Sequence, residues 1–218
     1  MVSALIGDSL TPLEDCARCP RLCEERRQIK FSYPSYHASP VGSWGDRRAR
    51  ILLVGLAPGL HGAAKTGRAF VGDSSGDFLF ASLKRVGIAD SRDPLVARLS
   101  GARITNAVKC YPPGNLPTSM EIHNCLPFLR AELSDFSKLR SRLPRSLVVL
   151  GGVAHRAVFR SLGMVIPSFQ HGIQTQVNRR LRVFDCFHPS RLNVNTKKLS
   201  EGMLDDVLER AKRYAFEV

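Results

Sequence analysis

The sequence predicts an α/β fold, a three-layer α/β/α sandwich around a four-stranded parallel sheet. Four short apolar runs carry this prediction, because their near-continuous Val, Ile and Leu content is typical of strands buried on both faces. These runs cover residues 51–55, 104–108, 147–151 and 181–187. Segments with helical spacing lie between and after them, and this alternation predicts that ligands bind at the carboxyl ends of the strands.

Four helices are predicted from stripes of apolar residues. Two of them begin at pairs with the spacing of a capping box, Ser74 with Asp77 and Thr118 with Glu121. The stripes are Leu79, Leu83 and Val86; Ile122, Cys125, Leu126, Leu129 and Leu133; Val153, Ala154, Ala157, Val158 and Leu162; and Leu204, Val207, Leu208, Ala211 and Ala215.

The 218 residues are enough for one sizeable core, and we predict a single domain over residues 1–218. Residues 1–45 are rich in Cys, Pro and charge and show no long periodic segment. We interpret them as an N-terminal extension that a metal pins onto the domain. Residues 1–10 lack the features of a secretory signal, and no apolar run approaches the ~20 residues of a spanning helix. We therefore expect a cytoplasmic protein with no membrane association.

The charge balance indicates a polyanionic partner. The chain has 32 Lys and Arg against 19 Asp and Glu, a net charge of +13. Such an excess commonly serves a polyanion by releasing counterions from phosphates, and DNA is the leading candidate. The alternative is a basic protein whose cations only face solvent. In a prokaryote we expect a nucleoid-associated monomer.

Six cysteines in a reducing compartment favour metal ligands or buried thiols over disulfides. Two pairs from distant parts of the chain could complete a zinc site or an iron-sulfur cluster. The second pair could equally be ordinary buried thiols, since free Cys behaves as a small hydrophobe. Of the other two, Cys186 is predicted to lie in the core, and Cys23 is a rival ligand. The candidate ligands are Cys16, Cys19, Cys110 and Cys125.

Loops with chemically useful residues follow three of the predicted strands. The first, residues 55–62, is rich in Gly but is neither a G-x-G-x-x-G nor a Walker A motif. We expect its backbone to pack closely against a flat ligand. The second contains Asn115 in a Pro-rich run, and the last begins with His188.

Several ordered motifs together resemble the type-5 uracil-DNA glycosylases, the UDGb family. They are the Cys pair followed by Pro-Arg-Leu at 20–22, Gly-Leu-Ala-Pro at 55–58, Thr-Gly-Arg-x-Phe-x-Gly-Asp at 66–73, Pro-Pro-x-Asn-x-Pro-Thr at 112–118 and His-Pro-Ser at 188–190. The likeness runs over about residues 16–196. The related type-4 enzymes carry an acidic residue where this chain has Leu56, and its absence fits type 5 better.

The resemblance implies a monofunctional glycosylase of base-excision DNA repair. Such an enzyme hydrolyses the N-glycosidic bond of uracil in DNA, and of hypoxanthine or other damaged bases if its pocket is permissive, and leaves an abasic site. The resemblance also implies that Cys16, Cys19, Cys110 and Cys125 hold a structural 4Fe-4S cluster.

By the same resemblance, Asp73 positions or activates the attacking water, His188 supports the departing base, and Asn115 contacts the extruded base. Asn106 stands where a small apolar residue is expected and is similar to the strand-end asparagine with which type-4 enzymes read uracil, so either asparagine could read the base. Gly59, Leu192, Val194 and Lys197 also depart from the family pattern. The predicted base pocket consists of Gly55, Ala57, Pro58, Gly59, Phe70, Asn106 and Asn115.

The chemistry of the residues agrees with these roles. Cleaving the bond builds positive charge on the sugar and negative charge on the base, which calls for an anion near the sugar and donors near the base. Each residue also has a plainer interpretation: Asp73 as a helix N-cap, His188 as a hydrogen-bonded histidine at a strand end, and Asn115 as a turn residue.

The loop after His188 supplies the predicted DNA contacts, Ser190, Arg191, Leu192 and Lys197. Our hypothesis is that Leu192, or Arg191, enters the base stack as a wedge. Further cations are predicted to grip phosphates nonspecifically, with a solvated basic face as the alternative. These cations are Lys198, Arg179, Arg180 and Arg182.

Two other functions compete with the glycosylase. A metal-stabilised module that binds DNA without cutting it would share the charge and the cysteines. An electron carrier on an α/β scaffold would need an accessible cluster, against which Cys125 on an apolar helical stripe argues.

Overall fold

The computed structural model describes residues 11–138 and 143–217, so the judgement on a signal in residues 1–10 lies outside it. The strands are β1 (Trp44–Gly45), β2 (Ile51–Gly55), β3 (Ala102–Asn106), β4 (Arg145–Leu150), β5 (Gln174–Asn178) and β6 (Leu181–Cys186). The helices are α1 (Pro20–Ser32), α2 (Ala63–Thr66), α3 (Ser74–Arg85), α4 (Ser119–Lys138), α5 (Gly152–Ser161), α6 (Arg191–Asn195) and α7 (Glu201–Phe216).

The sheet has the strand order β1-β3-β2-β4-β6-β5. Its four central strands are parallel, as predicted, and the register pairs Gly55 with Asn106 and Leu150 with Cys186 at their carboxyl ends. Two edge strands, β1 and β5, pair antiparallel with this core. Neither edge strand is predicted from the sequence, because β1 is only two residues long and β5, QTQVN, has no buried face.

Alternate side chains of the central strands enter two separate cores. Leu53 and Val148 face one side, where α3 and α7 pack. Leu52 and Leu147 face the other side, against α4 and α5. Because side chains alternate across a strand, continuous apolar strands imply helices on both faces, and the predicted three layers are confirmed.

The N-terminal segment is more ordered than its composition suggests. Residues 20–32 form α1, a helix missed because only two of its side chains, Leu22 and Ile29, are buried. Pro20 occupies the first turn, where a missing backbone N–H costs nothing. Residues 20–32 therefore form a helix although, as noted from the sequence, they carry no long hydrophobic periodicity.

One helix start also differs from the prediction. The N-cap of α3 is Asp73, whose Oδ1 accepts a hydrogen bond from the Gly76 amide at 3.0 Å, so the predicted Ser74–Asp77 capping box is wrong. The second box is confirmed, since the Thr118 amide donates to Glu121 Oε2 at 2.8 Å and the Glu121 amide donates to Thr118 Oγ1 at 3.2 Å. In the part of the chain that is described, no helix has the length and apolarity needed to cross a bilayer.

Candidate active site

A cavity of about 610 Å³ opens at the carboxyl ends of the parallel strands. Loops after β2, β3 and β6 and the start of α3 form its walls. Asp73 and His188, which come from separate loops, both line it. The lining residues are Leu56, Ala57, Gly59, Leu60, His61, Gly62, Ala63, Phe70, Gly72, Asp73, Ser74, Ser75, Asn106, Asn115, His188, Ser190 and Arg191.

The two carboxylate oxygens of Asp73 have different surroundings. Oδ1 caps α3 through the Gly76 amide, which fixes the side chain. Oδ2 points toward the glycines of the first loop: a Cβ on Gly59 would stand 3.0 Å from it, and a Cβ on Gly62 would overlap it. The N-cap interpretation is therefore right for one oxygen, and the other remains directed at the cavity.

His188 follows β6 and is held through its backbone on both sides. Its carbonyl accepts a hydrogen bond from Asn193 Nδ2 at 2.8 Å, and the preceding Phe187 amide donates to His171 Nδ1 at 3.1 Å. Burial lowers the pKa of His188, and the nearby Asp73 only partly opposes this effect. The imidazole is therefore neutral at neutral pH and carries one N–H that can donate into the cavity.

A buried pair supports the strand that carries His188. His155 Nδ1 lies 2.8 Å from Asp185 Oδ1 on β6, and His155 Nε2 lies 2.9 Å from the Pro167 carbonyl. His155 is fully buried and Asp185 is 1% exposed. Burial raises the pKa of Asp185, and the hydrogen bond from His155 works in the opposite direction. The pair ties α5 and the loop after it to the end of β6.

Asn106 ends β3 and is 2% exposed, yet its Oδ1 finds no hydrogen-bond partner among the described residues. The missing side chain of Gly55 makes room for it, because a Cβ there would stand 2.5 Å from both Asn106 Oδ1 and the Phe70 ring. Lys109 Nζ, itself paired with Glu132 at 2.6 Å, donates to the Asn106 carbonyl at 2.7 Å. A buried, unpaired amide oxygen is costly, and here it lines a cavity that a ligand can enter.

Asn115 also lines the cavity, near the first loop. It adopts a left-handed conformation with φ 60°, which Asn tolerates, in the short 3-10 turn Pro113–Asn115. Its Oδ1 stands 4.0 Å from the Cβ position of Gly59. Arg21 on α1 holds this turn in place. It forms a bidentate ion pair with Glu121 and donates a hydrogen bond to the Leu116 carbonyl at 3.2 Å.

The rim of the cavity carries the predicted DNA-contact loop. Ser190 caps the short helix α6, and Arg191 Nε donates to Ser74 Oγ at 2.8 Å. Leu192 is 71% exposed, and Lys197 is exposed with φ 58°. Leu192 and Lys197 do not line the cavity itself, and Leu192 is an exposed apolar side chain next to the lining residue Arg191.

Other predicted site residues are placed differently from expectation. Ala57 and Gly59 line the cavity, whereas Gly55 and Pro58 lie behind its wall. Arg179, Arg180 and Arg182 lie around the amino end of β6, at the opposite end of the strand from His188, and their predicted nonspecific contacts with phosphates stay a prediction. Sequence reasoning missed the lining residues His61, Ser74 and Ser75, although all three adjoin motifs that it singled out.

Five cysteines surround a second, small cavity under α1 and α4. All four candidate ligands are among them, together with Cys23, and no cysteine in the described residues forms a disulfide. Cys186 is fully buried in the main core, as predicted. Within residues 11–138 and 143–217, no three His, Cys, Asp or Glu side chains are spaced to hold one metal ion. In a cubane cluster each thiolate binds a different iron, so its ligands surround the cluster instead of converging on a point.

The sulfur atoms have nitrogen donors nearby. Asn124 Nδ2 lies 3.5 Å from Cys19 Sγ, and the Arg26 guanidinium lies 3.3 Å from Cys23 Sγ and 3.7 Å from Cys110 Sγ. Burial raises the pKa of Cys110 to about 12 and that of Cys125 to about 11. Thiolates as deeply buried as these need a nearby positive charge, which a bound metal ion or cluster would supply. The set of cysteine sulfurs therefore fits a metal or an iron-sulfur cluster.

Comparison with known proteins assigns the sequence to a family. The profile of the uracil DNA glycosylase superfamily matches residues 42–212. The chain belongs to that superfamily. A type-5 uracil-DNA glycosylase from Pyrobaculum aerophilum is 43% identical over 214 residues, which span 94% of this chain and 91% of the relative. One from Mycobacterium leprae is 41% identical over 215 residues, 92% and 91% of the two chains.

Type-4 members of the superfamily are more distant. The type-4 uracil-DNA glycosylase of Sulfurisphaera tokodaii is 28% identical over 193 residues, 84% of this chain and 80% of the relative. The resemblance to type-5 uracil-DNA glycosylases inferred from the motifs is therefore confirmed. Leu56, which stands where the resemblance leads us to expect an acidic residue in type-4 enzymes, lines the cavity.

Proposed function

We propose that the protein is a monofunctional uracil-DNA glycosylase of base-excision repair, which hydrolyses the N-glycosidic bond of uracil in DNA and leaves an abasic site. The observation that carries this proposal is one cavity lined by a fixed carboxylate, a neutral imidazole and two asparagines. Superfamily membership and the type-5 relatives support it.

Asp73 provides the anion that bond cleavage needs. Because Oδ1 is held by the Gly76 amide, Oδ2 is presented in a fixed position to the cavity. There it can stabilise positive charge on the sugar and orient a water for attack on the anomeric carbon. The glycines at 59 and 62 leave the space for this oxygen.

His188 acts on the leaving base. A neutral imidazole with one N–H can donate to a base oxygen as negative charge develops on the base. Its lowered pKa keeps this donor in the neutral form at neutral pH, so a base oxygen receives a hydrogen bond without a prior proton transfer.

Asn106 is the better candidate for reading the base. The amide edge of a side chain matches a base edge that presents one N–H donor beside one carbonyl acceptor, and uracil and hypoxanthine both have such an edge. The unpaired Oδ1 of Asn106 is buried at the cavity wall, whereas Asn115 is exposed. We assign base reading to Asn106, stacking to Phe70 beside it, and a contact at the mouth to Asn115.

One assay tests the proposal. Purified protein is incubated with duplexes that contain a single uracil, hypoxanthine or thymine, and abasic sites are revealed by alkaline cleavage. We expect excision of uracil and, since Leu56 replaces an acidic residue, also of hypoxanthine. A protein that binds these duplexes in a salt-sensitive manner but leaves no abasic sites would be the non-catalytic DNA-binding module instead.

Extrusion of the base requires something to fill the gap in the stack, and Leu192 is placed for this. We predict that Leu192→Ala slows excision from duplexes by about tenfold or more, because unstacking a base costs a few kcal/mol. Single-turnover rates on duplex and single-stranded uracil substrates measure the effect. Single strands need no wedge, so equal losses on both substrates would reject this role.

We further propose that Cys16, Cys19, Cys110 and Cys125 hold a 4Fe-4S cluster. When bound, the cluster supplies a structural link between the segment before α1 and α4, and the residues around it hold the two segments together. We predict a brown protein with broad visible absorbance and about four irons per chain by metal analysis. A colourless protein with stoichiometric zinc would contradict the cluster and favour the zinc alternative.

Arg21 connects this segment to the active site, because its ion pair with Glu121 fixes the turn that carries Asn115. We predict that Arg21→Ala raises KM for uracil-containing DNA more than it lowers kcat. The loss of activity should be smaller than the loss in Asp73→Asn. Arg21→Lys should recover the activity only in part, since an ammonium cannot make the two-pronged contact. Unchanged kinetics in Arg21→Ala would show that the turn holds itself.

The net charge of +13 supports DNA as the partner. In a prokaryote such an enzyme would work on the nucleoid, and we propose that it acts as a monomer, which light scattering would test.

A further inference from the structure

An aromatic cluster beside the cavity takes no part in the chemistry described above. The Tyr33 and Tyr36 rings are stacked, with centroids 4.6 Å apart and an angle of 18° between the planes. The His61 ring stands edge-on to both, at 5.8 Å and 6.1 Å. Two of the chain's four tyrosines are thus placed together at the surface, and we call Tyr33, Tyr36 and His61 the aromatic platform.

The platform adjoins the cavity through His61. His61 lines the cavity, is exposed, and its Nδ1 lies 2.9 Å from the Tyr36 hydroxyl. Tyr33 is 38% exposed. A strand of DNA that leaves the cavity mouth on this side therefore meets aromatic rings next.

Hydrogen bonds fix the turn that carries Tyr33 and Tyr36 without any ligand. The Tyr36 amide donates to the Tyr33 carbonyl at 2.9 Å, and Lys30 Nζ donates to the carbonyls of Pro34 and Tyr36 at 2.8 Å and 3.0 Å. The following residue, His37, donates its amide to the Lys65 carbonyl at 3.0 Å. Because the turn is held at both ends, little conformational entropy is lost when a base stacks on it.

Positive charge accompanies the rings. Lys65 is exposed, and its Nζ lies 5.8 Å from the centre of the Tyr36 ring. Aromatic side chains flanked by cations are the common means of holding single-stranded nucleic acid, since every base can stack and every phosphate attracts a cation. An aromatic contact made only for the core would be buried, whereas Tyr33 and His61 are exposed and Tyr36 is only half-buried.

From this placement we infer that the aromatic platform is a binding site for the nucleotide next to the extruded one, with an unpaired base stacking on Tyr33 and a phosphate of the same strand near Lys65. This inference rests on the proposed function for the identity of the substrate strand. It predicts that the enzyme binds single-stranded DNA well and accepts lesions in unpaired regions.

The test uses an undamaged oligo(dT), so that binding is measured without excision. Fluorescence anisotropy should show about tenfold weaker binding for Tyr33→Ala and nearly normal binding for Tyr33→Phe, which keeps the ring. Phe216→Ala is the matched control, because Phe216 has a similar exposure of 42% but packs against Gly101 at the amino end of β3, away from the cavity. It should bind as the unaltered protein does.

Lys65→Ala provides a second, independent measurement. If Lys65 neutralises one phosphate, the plot of log affinity against log salt should become less steep by about 0.7 for a single strand. This result still decides the matter if Tyr33→Ala fails to fold in a thermal melt. Normal oligo(dT) binding by folded Tyr33→Ala, or an unchanged salt slope in Lys65→Ala, would overturn the inference.

Failure of the platform and failure of the proposed function give different results. Loss of oligo(dT) binding in Tyr33→Ala with no uracil excision by the unaltered protein would keep the platform and reject the glycosylase. Excision by the unaltered protein with normal oligo(dT) binding by Tyr33→Ala would support the glycosylase and reject the platform.

Discussion

The Asp73→Asn variant is expected to lose uracil excision by about 10²- to 10⁴-fold while still folding and binding DNA. Asn caps a helix about as well as Asp, so the hydrogen bond from the Gly76 amide and the start of α3 should be kept. What is lost is the negative charge at Oδ2, which orients the water and faces the positive charge on the sugar. Single-turnover excision and anisotropy binding on one uracil duplex measure the two properties separately.

Two further variants make this result specific. Asp77→Asn, in the same helical turn but outside the cavity, should excise uracil normally. Gly62→Ala should imitate Asp73→Asn, because its methyl group would occupy the place of Asp73 Oδ2. Normal turnover in Asp73→Asn would remove Asp73 from the mechanism.

The largest loss of stability is expected from His155→Leu. This change leaves the Asp185 side chain buried, and its remaining hydrogen bond within the described ranges is a long contact of 3.5 Å from the Gln170 amide. Breaking a buried pair by removing one partner costs about 3–5 kcal/mol. For a domain of this size each kcal/mol lowers Tm by roughly 2–4 °C, and urea unfolding and thermal melts would record the loss. Because β6 carries His188, excision should also slow.

The loss should depend on pH in a definite direction. Burial already raises the pKa of Asp185, and losing the hydrogen bond from His155 would raise it further. A carboxyl with a raised folded-state pKa holds its proton more tightly when folded, so stability falls as pH rises through that pKa. His155→Leu should therefore be less destabilised at acidic than at neutral pH. Arg27→Ala, which breaks an exposed pair with Glu24, should cost under about 1 kcal/mol at either pH.

Local patterns in the sequence predicted most of the central strands and the helices that pack on them. The run 51–55 coincides with β2, and the stripe from Leu204 to Ala215 is buried along α7. Such patterns could be read because alternation and helical periodicity record burial directly along the chain. Elements with little buried surface left no such record, which is why α1 and the edge strand β5 escaped prediction.

The candidate site was also predicted only in part. Because parallel strands end at one edge of a sheet, the loops carrying Asp73, Asn115 and His188 could be expected to meet there. The sequence could not show that Arg179 and Arg180 lie at the far end of β6, nor that His61 joins two tyrosines beside the cavity. Those placements depend on pairings between residues far apart in the chain.

By itself the sequence determined the layers of the fold, the family, and the residues that bring a carboxylate and an imidazole to the rim of the sheet. The tertiary structure alone decided which oxygen of Asp73 is directed at the cavity and which asparagine has a buried, unpaired amide oxygen. The physical reason is close approach: the space left by Gly62 directs the Asp73 carboxylate, and the space left by Gly55 admits Asn106. Such contacts are made between neighbouring strands and loops, and they exist only once the sheet has formed its register.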